Sequence, residues 1–188
     1  NLVQARLRSR TEEQLAQAEI ELIHSRAPLL SEPLPAAAID WATALTAATL
    51  PDGQHHPRLY DGLDALLGLI EAAPSALGWA SQLVRYELLL LAELGFGLDL
   101  DSCVVSGTND NLVAVSPRSG RAVSAAEAEP HAGKLLTLPP FVREGGSASW
   151  TEIRDGLELS GHFLLRDVLA GRSAGLVEAR SRLTERLF

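Results

Sequence analysis

The stretch SALGWASQLVRYELLLLAELG, residues 75–95, constrains the fold more than any other part of the sequence. Trp79, Leu83, Tyr86, Leu90 and Leu94 recur at spacings of three and four, the period of one face of an α-helix. Leu88, Leu89 and Leu91 spread the apolar surface nearly all the way round. A helix of that kind is buried between neighbours, so it is expected at the centre of a helical body. Ser75 after Pro74 is placed to cap its start, and Gly95 to end it in a left-handed conformation.

Neighbouring helices can be read on both sides. One runs from Ala36 to Leu50 and another from Leu59 to Ala73, separated by the turn PDGQHHP. Pro28, Pro33 and Pro35 in APLLSEPLP mark a crossing into this body between residues 27 and 35. After Pro139 and Pro140, Ile153, Leu157, Leu164 and Leu169 fall at helical spacing, with Gly156 and Gly161 expected to divide the segment into two helices. SAGLVEARSRLTERLF reads as a terminal helix with the apolar line Leu176, Val177, Leu183 and Leu187. Arg180, Arg182 and Arg186 load its last turns, where positive charge complements the helix dipole.

The first residues follow a different period. In NLVQARLRSRTEEQ, Val3, Ala5 and Leu7 alternate with Gln4, Arg6, Arg8 and Arg10, as in a strand, and AEIELIHS supplies a second strand to pair with it. Arg6, Arg8 and Arg10 then project from one face at intervals of about 6.5 to 7 Å, close to the spacing of phosphates along a nucleic-acid strand. A solvated face paired with Glu19 and Glu21 fits the same residues, and the sequence leaves both readings open. Two strands are marginal alone, and the chain has no methionine, so sequence carrying further strands is expected before residue 1.

SCVVSGTNDNLVAVSPRSGRAVS, residues 102–124, has the outline of a two-hairpin module that zinc often pins. Zinc needs converging thiolates or imidazoles, and only Cys103 is present, with Ser106 and Ser124 where partners would stand. His131 adds one donor at most, so no metal is assigned and Cys103 is expected to be a small buried thiol. The pair His55 and His56 lies in a turn and reads as solvated, and Asp99 and Asp101 read as makers of turn hydrogen bonds. No GxGxxG, phosphate-binding loop, HExxH or GxSxG occurs, so no catalytic residue is assigned and the chain is not expected to be an enzyme.

Bulk properties fit an intracellular globular protein. With 188 residues and 46% hydrophobic content the chain can bury a substantial core, and no run of about 18 apolar residues suggests a membrane span. One cysteine cannot form an internal disulfide, and without a secretory signal a reducing cytoplasm is the simplest compartment. The net charge of −8 argues against attraction of the whole molecule to nucleic acid, although a local basic face can still bind phosphates.

RYELLLLAELGFGLDLDSCVVSG, followed by LVAVSPRSGRAVS and a late LPPF, resembles the RecO family of bacterial recombination and repair mediators. The resemblance implies an α+β chain. Residues 1–27 would be the closing strands of an OB-fold β-barrel, incomplete here, and residues 28–100 the first part of a mainly α-helical domain. Residues 101–133 would be an inserted zinc-ribbon-like hairpin module, here without metal, and 134–188 the second part of the helical domain. Members that bind zinc use four cysteines, so the metal does not carry over.

Such proteins bind single- and double-stranded DNA, anneal complementary strands, associate with RecR and engage the acidic C-terminal tail of single-strand DNA-binding protein. They act without catalysis, cofactor or membrane, in the cytoplasm and at the nucleoid during repair. The family's tail-binding site implies Arg85 and Leu89; the alternatives are core packing for Leu89 and, for Arg85, an intrahelical pair with Glu87 or Gln82. Candidate DNA contacts are Arg6, Arg8 and Arg10, followed by Arg172, Arg180 and Arg182. The rival reading is a protein-interaction scaffold whose helical groove holds a partner peptide, with no direct DNA contact.

Overall fold

The structure is a computed structural model that describes residues 1–11, 14–73, 75–171 and 174–188. β1 (Leu2–Arg8) and β2 (Gln17–His24) open the chain as an antiparallel ribbon. Val3, Ala5 and Leu7 stand opposite Leu22, Ile20 and Ala18, while Gln4, Arg6 and Arg8 stand opposite Glu21, Glu19 and Gln17. One face of the ribbon is therefore apolar and the other charged. Every residue of both strands is exposed, including Leu7 at 70% and Ile20 at 64%. The strand ends at Arg8, so Arg10 lies in the bend beyond it and does not join the arginine row.

A 3-10 turn over Ala27–Ser31 leads into α1 (Pro33–Thr49). Pro33 and Pro35 sit in the first turn, where a missing N–H breaks no intrahelical bond, so the helix begins within the proline segment and not at Ala36. α2 (Pro57–Ala72) and α3 (Leu77–Glu93) follow. α3 is the central helix, with Trp79, Leu83, Val84, Tyr86, Leu90 and Leu91 buried. Its cap residue is Ala76, with no side-chain hydrogen bond, so Ser75 does not take the capping role. At its other end Gly95 has φ +87°, Phe96 N–H returns to the Leu91 carbonyl at 2.8 Å and Gly95 N–H to that of Ala92 at 3.0 Å, the Schellman closure.

β3 (Leu112–Val115) and β4 (Ala122–Ser124) form a hairpin, and after the single turn α4 (Ala125–Ala128) the chain adds β5 (Leu136–Thr137) to the free edge of β3. The module is thus a three-stranded sheet in the order β4-β3-β5, and not two hairpins. Both outer strands run against β3, so they are parallel to one another and α4 lies in the crossover between them.

α5 (Pro140–Glu144), α6 (Trp150–Phe163), a π-helical turn at Leu164–Val168 and α7 (Ala174–Leu187) complete the chain. Gly156 and Gly161 do not divide α6. They mark close approaches: a Cβ on Gly156 would lie 3.0 Å from both Phe141 Cζ and Val84 Cγ1, and one on Gly161 2.3 Å from Arg180 Nη1. α2 and α6 pack against α3, and α7 against α1. A single apolar cluster joins them to the module, running from Trp41, Leu66 and Trp79 to Val115, Phe163 and Leu183. Among the described residues no helix is long and apolar enough to cross a membrane.

Candidate nucleic-acid and peptide-binding surfaces

The charged groups divide into those the fold consumes and those it leaves facing solvent. Glu87, in the central helix α3, is completely buried. Its Oε1 accepts from Trp41 Nε1 at 2.8 Å and from Arg180 Nε at 3.0 Å, and its Oε2 from Arg180 Nη2 at 2.9 Å and from the Ser160 hydroxyl. Arg180 Nη2 also donates to the Leu157 carbonyl at 2.7 Å. A bidentate guanidinium with two further donors satisfies the oxygens of a carboxylate that has no access to water. Residues of α1, α3, α6 and α7 meet at this one carboxylate.

Arg180 is therefore a structural cation, its side chain only 11% exposed, and it is not positioned to meet DNA. Arg182, two residues on and on the opposite side of α7, is exposed and lies 4.0 Å from Glu178. Arg172 lies outside the described residues. On the ribbon, Arg6 faces Glu19 across the strands, so the solvated-pair reading has a geometric basis for that residue, while Arg8 faces the neutral Gln17.

Arg85 does not pair with Glu87 or Gln82. Its Nη2 reaches across to α5 and the loop after it, donating to the Phe141 carbonyl at 3.2 Å and that of Gly146 at 2.9 Å, with the guanidinium carbon 5.5 Å from the centre of the Phe141 ring. Nε and Nη1 take no protein acceptor among the described residues. Leu89, one turn on, is half-buried; the position of a Cβ on Gly62 of α2 would be 3.0 Å from its Cδ2. Leu89 thus packs on α2 at the border of the core, one helical turn from a partly committed guanidinium.

A separate cleft of 950 Å³ opens between α1 and α2, lined by Thr46, Leu50, His55, His56, Tyr60 and Leu63 among others. Asp52 and Asp61 on its rim make it a poor seat for an acidic peptide. His56 Nδ1 lies 3.9 Å from Glu93, which also holds Arg58 at 2.9 Å; its side chain is largely covered and its Nε2 is buried without a partner among the described residues, so His56 is not the solvated histidine that its turn suggested.

In the module, Cys103 is buried and its Sγ accepts from Ser124 N–H at 3.3 Å. Burial works against a thiolate, but the hydroxyl and backbone N–H donors of Ser106 and Ser124 outweigh it and bring the thiol pKa down to about 6. The two serines flagged by the sequence thus gather round the sulfur. Among the described residues no group of three or more His, Cys, Asp or Glu side chains is placed to hold a metal ion. Asp99 accepts from Arg121 Nε at 3.0 Å and from the Asp101 N–H at 3.5 Å, the turn role expected for it.

Sequence reasoning missed the Glu87 centre. The available signal was an acid between Tyr86 and the run Leu88–Leu91 of the central helix, a position at which a carboxylate requires partners.

Residues 31–173 match the family described as Recombination protein O C terminal. The DNA repair protein RecO of Gluconacetobacter diazotrophicus is 42% identical over 98% of this chain and 74% of its own length. Those of Rhodospirillum centenum and Paracoccus denitrificans are each 44% identical, over 99% and 100% of this chain and 74% and 75% of their own lengths. With this helical body, its inserted sheet and similarity across nearly its whole length, the chain belongs to the RecO family of DNA repair proteins.

Proposed function

We propose that the protein is a non-enzymatic mediator of DNA repair and recombination that binds single- and double-stranded DNA, anneals complementary strands, and works with RecR and single-strand DNA-binding protein. The observation that carries this reading is the two-faced register of the ribbon. Val3, Ala5, Leu7, Ala18, Ile20 and Leu22 form an exposed apolar face suited to the inside of a closed barrel, and Arg6 and Arg8 lie on the outside. This two-faced pattern supports reading the ribbon as the closing strands of an OB-fold, a barrel whose outer surface tracks a nucleic-acid backbone.

The β3–β5 sheet is read as a zinc-ribbon-like module in which Cys103, Ser106 and Ser124 hold the knuckle by hydrogen bonds in place of an ion. Arg85 and Leu89 are read as the seat of the acidic tail of single-strand DNA-binding protein. Arg85 Nε and Nη1 would take a terminal carboxylate, and Leu89 would border the pocket for an aromatic ring.

Binding of the full chain to an unstructured DNA strand tests the central claim. Arg6, Arg8 and Arg182 neutralise about three phosphates, which alone gives log K a slope of about −2 against log salt. Absence of binding at low salt would sink the DNA reading and favour the interaction scaffold.

A further inference from the structure

The sheet order concentrates positive charge at one end of the module. β3 pairs with β5 through Ala114 to Thr137 and Val115 to Leu136, so the chain enters β5 from the end at which β3 turns into residues 116–120. That register brings exposed Lys134, just ahead of β5, to the hairpin tip that carries exposed Arg118. Arg121, at the start of the return strand, stands at the same end, as does Arg166 of the π-helical turn.

Arg166 holds the tip from behind. Its Nη1 donates to the carbonyls of Pro117 and, at 3.1 Å, Arg118, while Nε and Nη2 each grip Asp167 at 2.7 Å. The guanidinium carbon lies 4.7 Å from the centre of the Phe163 ring, and His162 Nε2 is 3.0 Å from the Pro117 carbonyl. Gly120, at φ +70°, seats the turn so closely that a Cβ there would meet Leu98 Cδ2 at 3.2 Å. Asp167 balances Arg166 and Asp99 balances Arg121. Arg118 and Lys134 have no acidic partner among the described residues, a local excess of two positive charges on a chain of net charge −8.

We propose that this hairpin tip is a second nucleic-acid contact, in which Arg118 and Lys134 each neutralise one backbone phosphate. The inference rests on the DNA-binding reading above and extends it to an element far from the ribbon in sequence. The tip residues Ser116, Pro117, Ser119 and Gly120 offer no apolar pocket for the ring of an acidic peptide, whereas two exposed cations on a pinned turn suit a repeating anionic backbone. Such contacts position the strand without reading its bases.

The test is anisotropy of a fluorescent oligothymidine with the full chain across about 0.05 to 0.3 M salt, at about 0.7 of slope per phosphate neutralised. With these two residues added to the ribbon and α7 contacts, the unaltered protein should give a slope of about −3.5. R118Q/K134Q should flatten it to about −2 and weaken binding about 25-fold at 0.1 M salt. R118K/K134R, which keeps both charges, should keep the full slope. Failure of the unaltered chain to bind removes the DNA reading and this inference together. Binding with the same slope in R118Q/K134Q overturns the inference alone. An unchanged DNA slope with lost affinity for an acidic tail peptide makes the tip a peptide site and also overturns it.

Discussion

Gly161→Ala tests the buried Glu87 centre because it attacks the cation without touching either charge. The new Cβ would lie 2.3 Å from Arg180 Nη1 and 2.7 Å from Cζ, so the guanidinium must move. Arginine tips ordinarily yield cheaply, but this one is held by both oxygens of a carboxylate with no exposed surface. Removing one partner of such a pair costs about 3 to 5 kcal/mol, because the remaining charge is left buried. Arg180→Ala should therefore lower stability by about that much, about 6 to 20 °C in midpoint for a domain of this size. Gly161→Ala should lose a substantial part of it, offset by about 1 kcal/mol of better helix propensity. In the Arg180→Ala background the obstacle is gone, so Gly161→Ala should there be neutral or stabilising by up to about 1 kcal/mol. Urea unfolding of the four proteins at constant m measures this coupling. Equal effects of Gly161→Ala in the two backgrounds would refute the reasoning.

Arg85→Ala should weaken binding of a tail peptide of single-strand DNA-binding protein at least about tenfold, the loss of a charge-assisted hydrogen bond. Arg85→Lys should recover only part of it, since an ammonium lacks the fork; unchanged affinity in Arg85→Ala, measured by calorimetry, would reject the site. The Cys103 thiolate absorbance near 240 nm should appear at about pH 6, and Ser106→Ala should move the step upward. Because that value lies below the ordinary 9.0, the thiolate's contribution to stability is complete above pH 9 and disappears as pH falls through 6. The midpoint difference between the protein and Cys103→Ala should accordingly widen with pH across that window. Elemental analysis should find far less than one equivalent of zinc, and a chelator should leave the thermal midpoint in place; a stoichiometric ion would reject the metal-free knuckle.

The legible parts of the fold were those fixed by local pattern. The spacing of Trp79, Leu83, Tyr86 and Leu90 gave the central helix, and Gly95 its end, because burial and a left-handed residue leave direct marks in sequence. The S-x-x-E pattern of Ser149 and Glu152 likewise forms a capping box that starts α6, another local mark of a helix end.

What local pattern could not carry was tertiary proximity. Gly156 and Gly161 looked like helix breakers because propensity describes an isolated helix, whereas here a neighbouring side chain fills the space where each Cβ would be. Arg180 looked like a free terminal cation because its carboxylate partner lies in another helix. Arg85 looked available for Glu87 because the backbone carbonyls that hold it belong to residues 141 and 146. Arg118 and Lys134 carry no motif, and only the strand order brings them to one edge.

The chain positions that meet at Glu87 also set an order of events during synthesis. Trp41, Glu87, Ser160 and Arg180 are translated far apart in time, and the last of them neutralises a charge placed among the first helices. Until the ribosome has released α7, the helical body holds an acid that the core cannot accept and α1 lacks the surface that covers it. A chain that stalls shortly before Arg180 is therefore expected to leave this body open and to become a substrate for chaperones and proteases instead of a shortened but working protein.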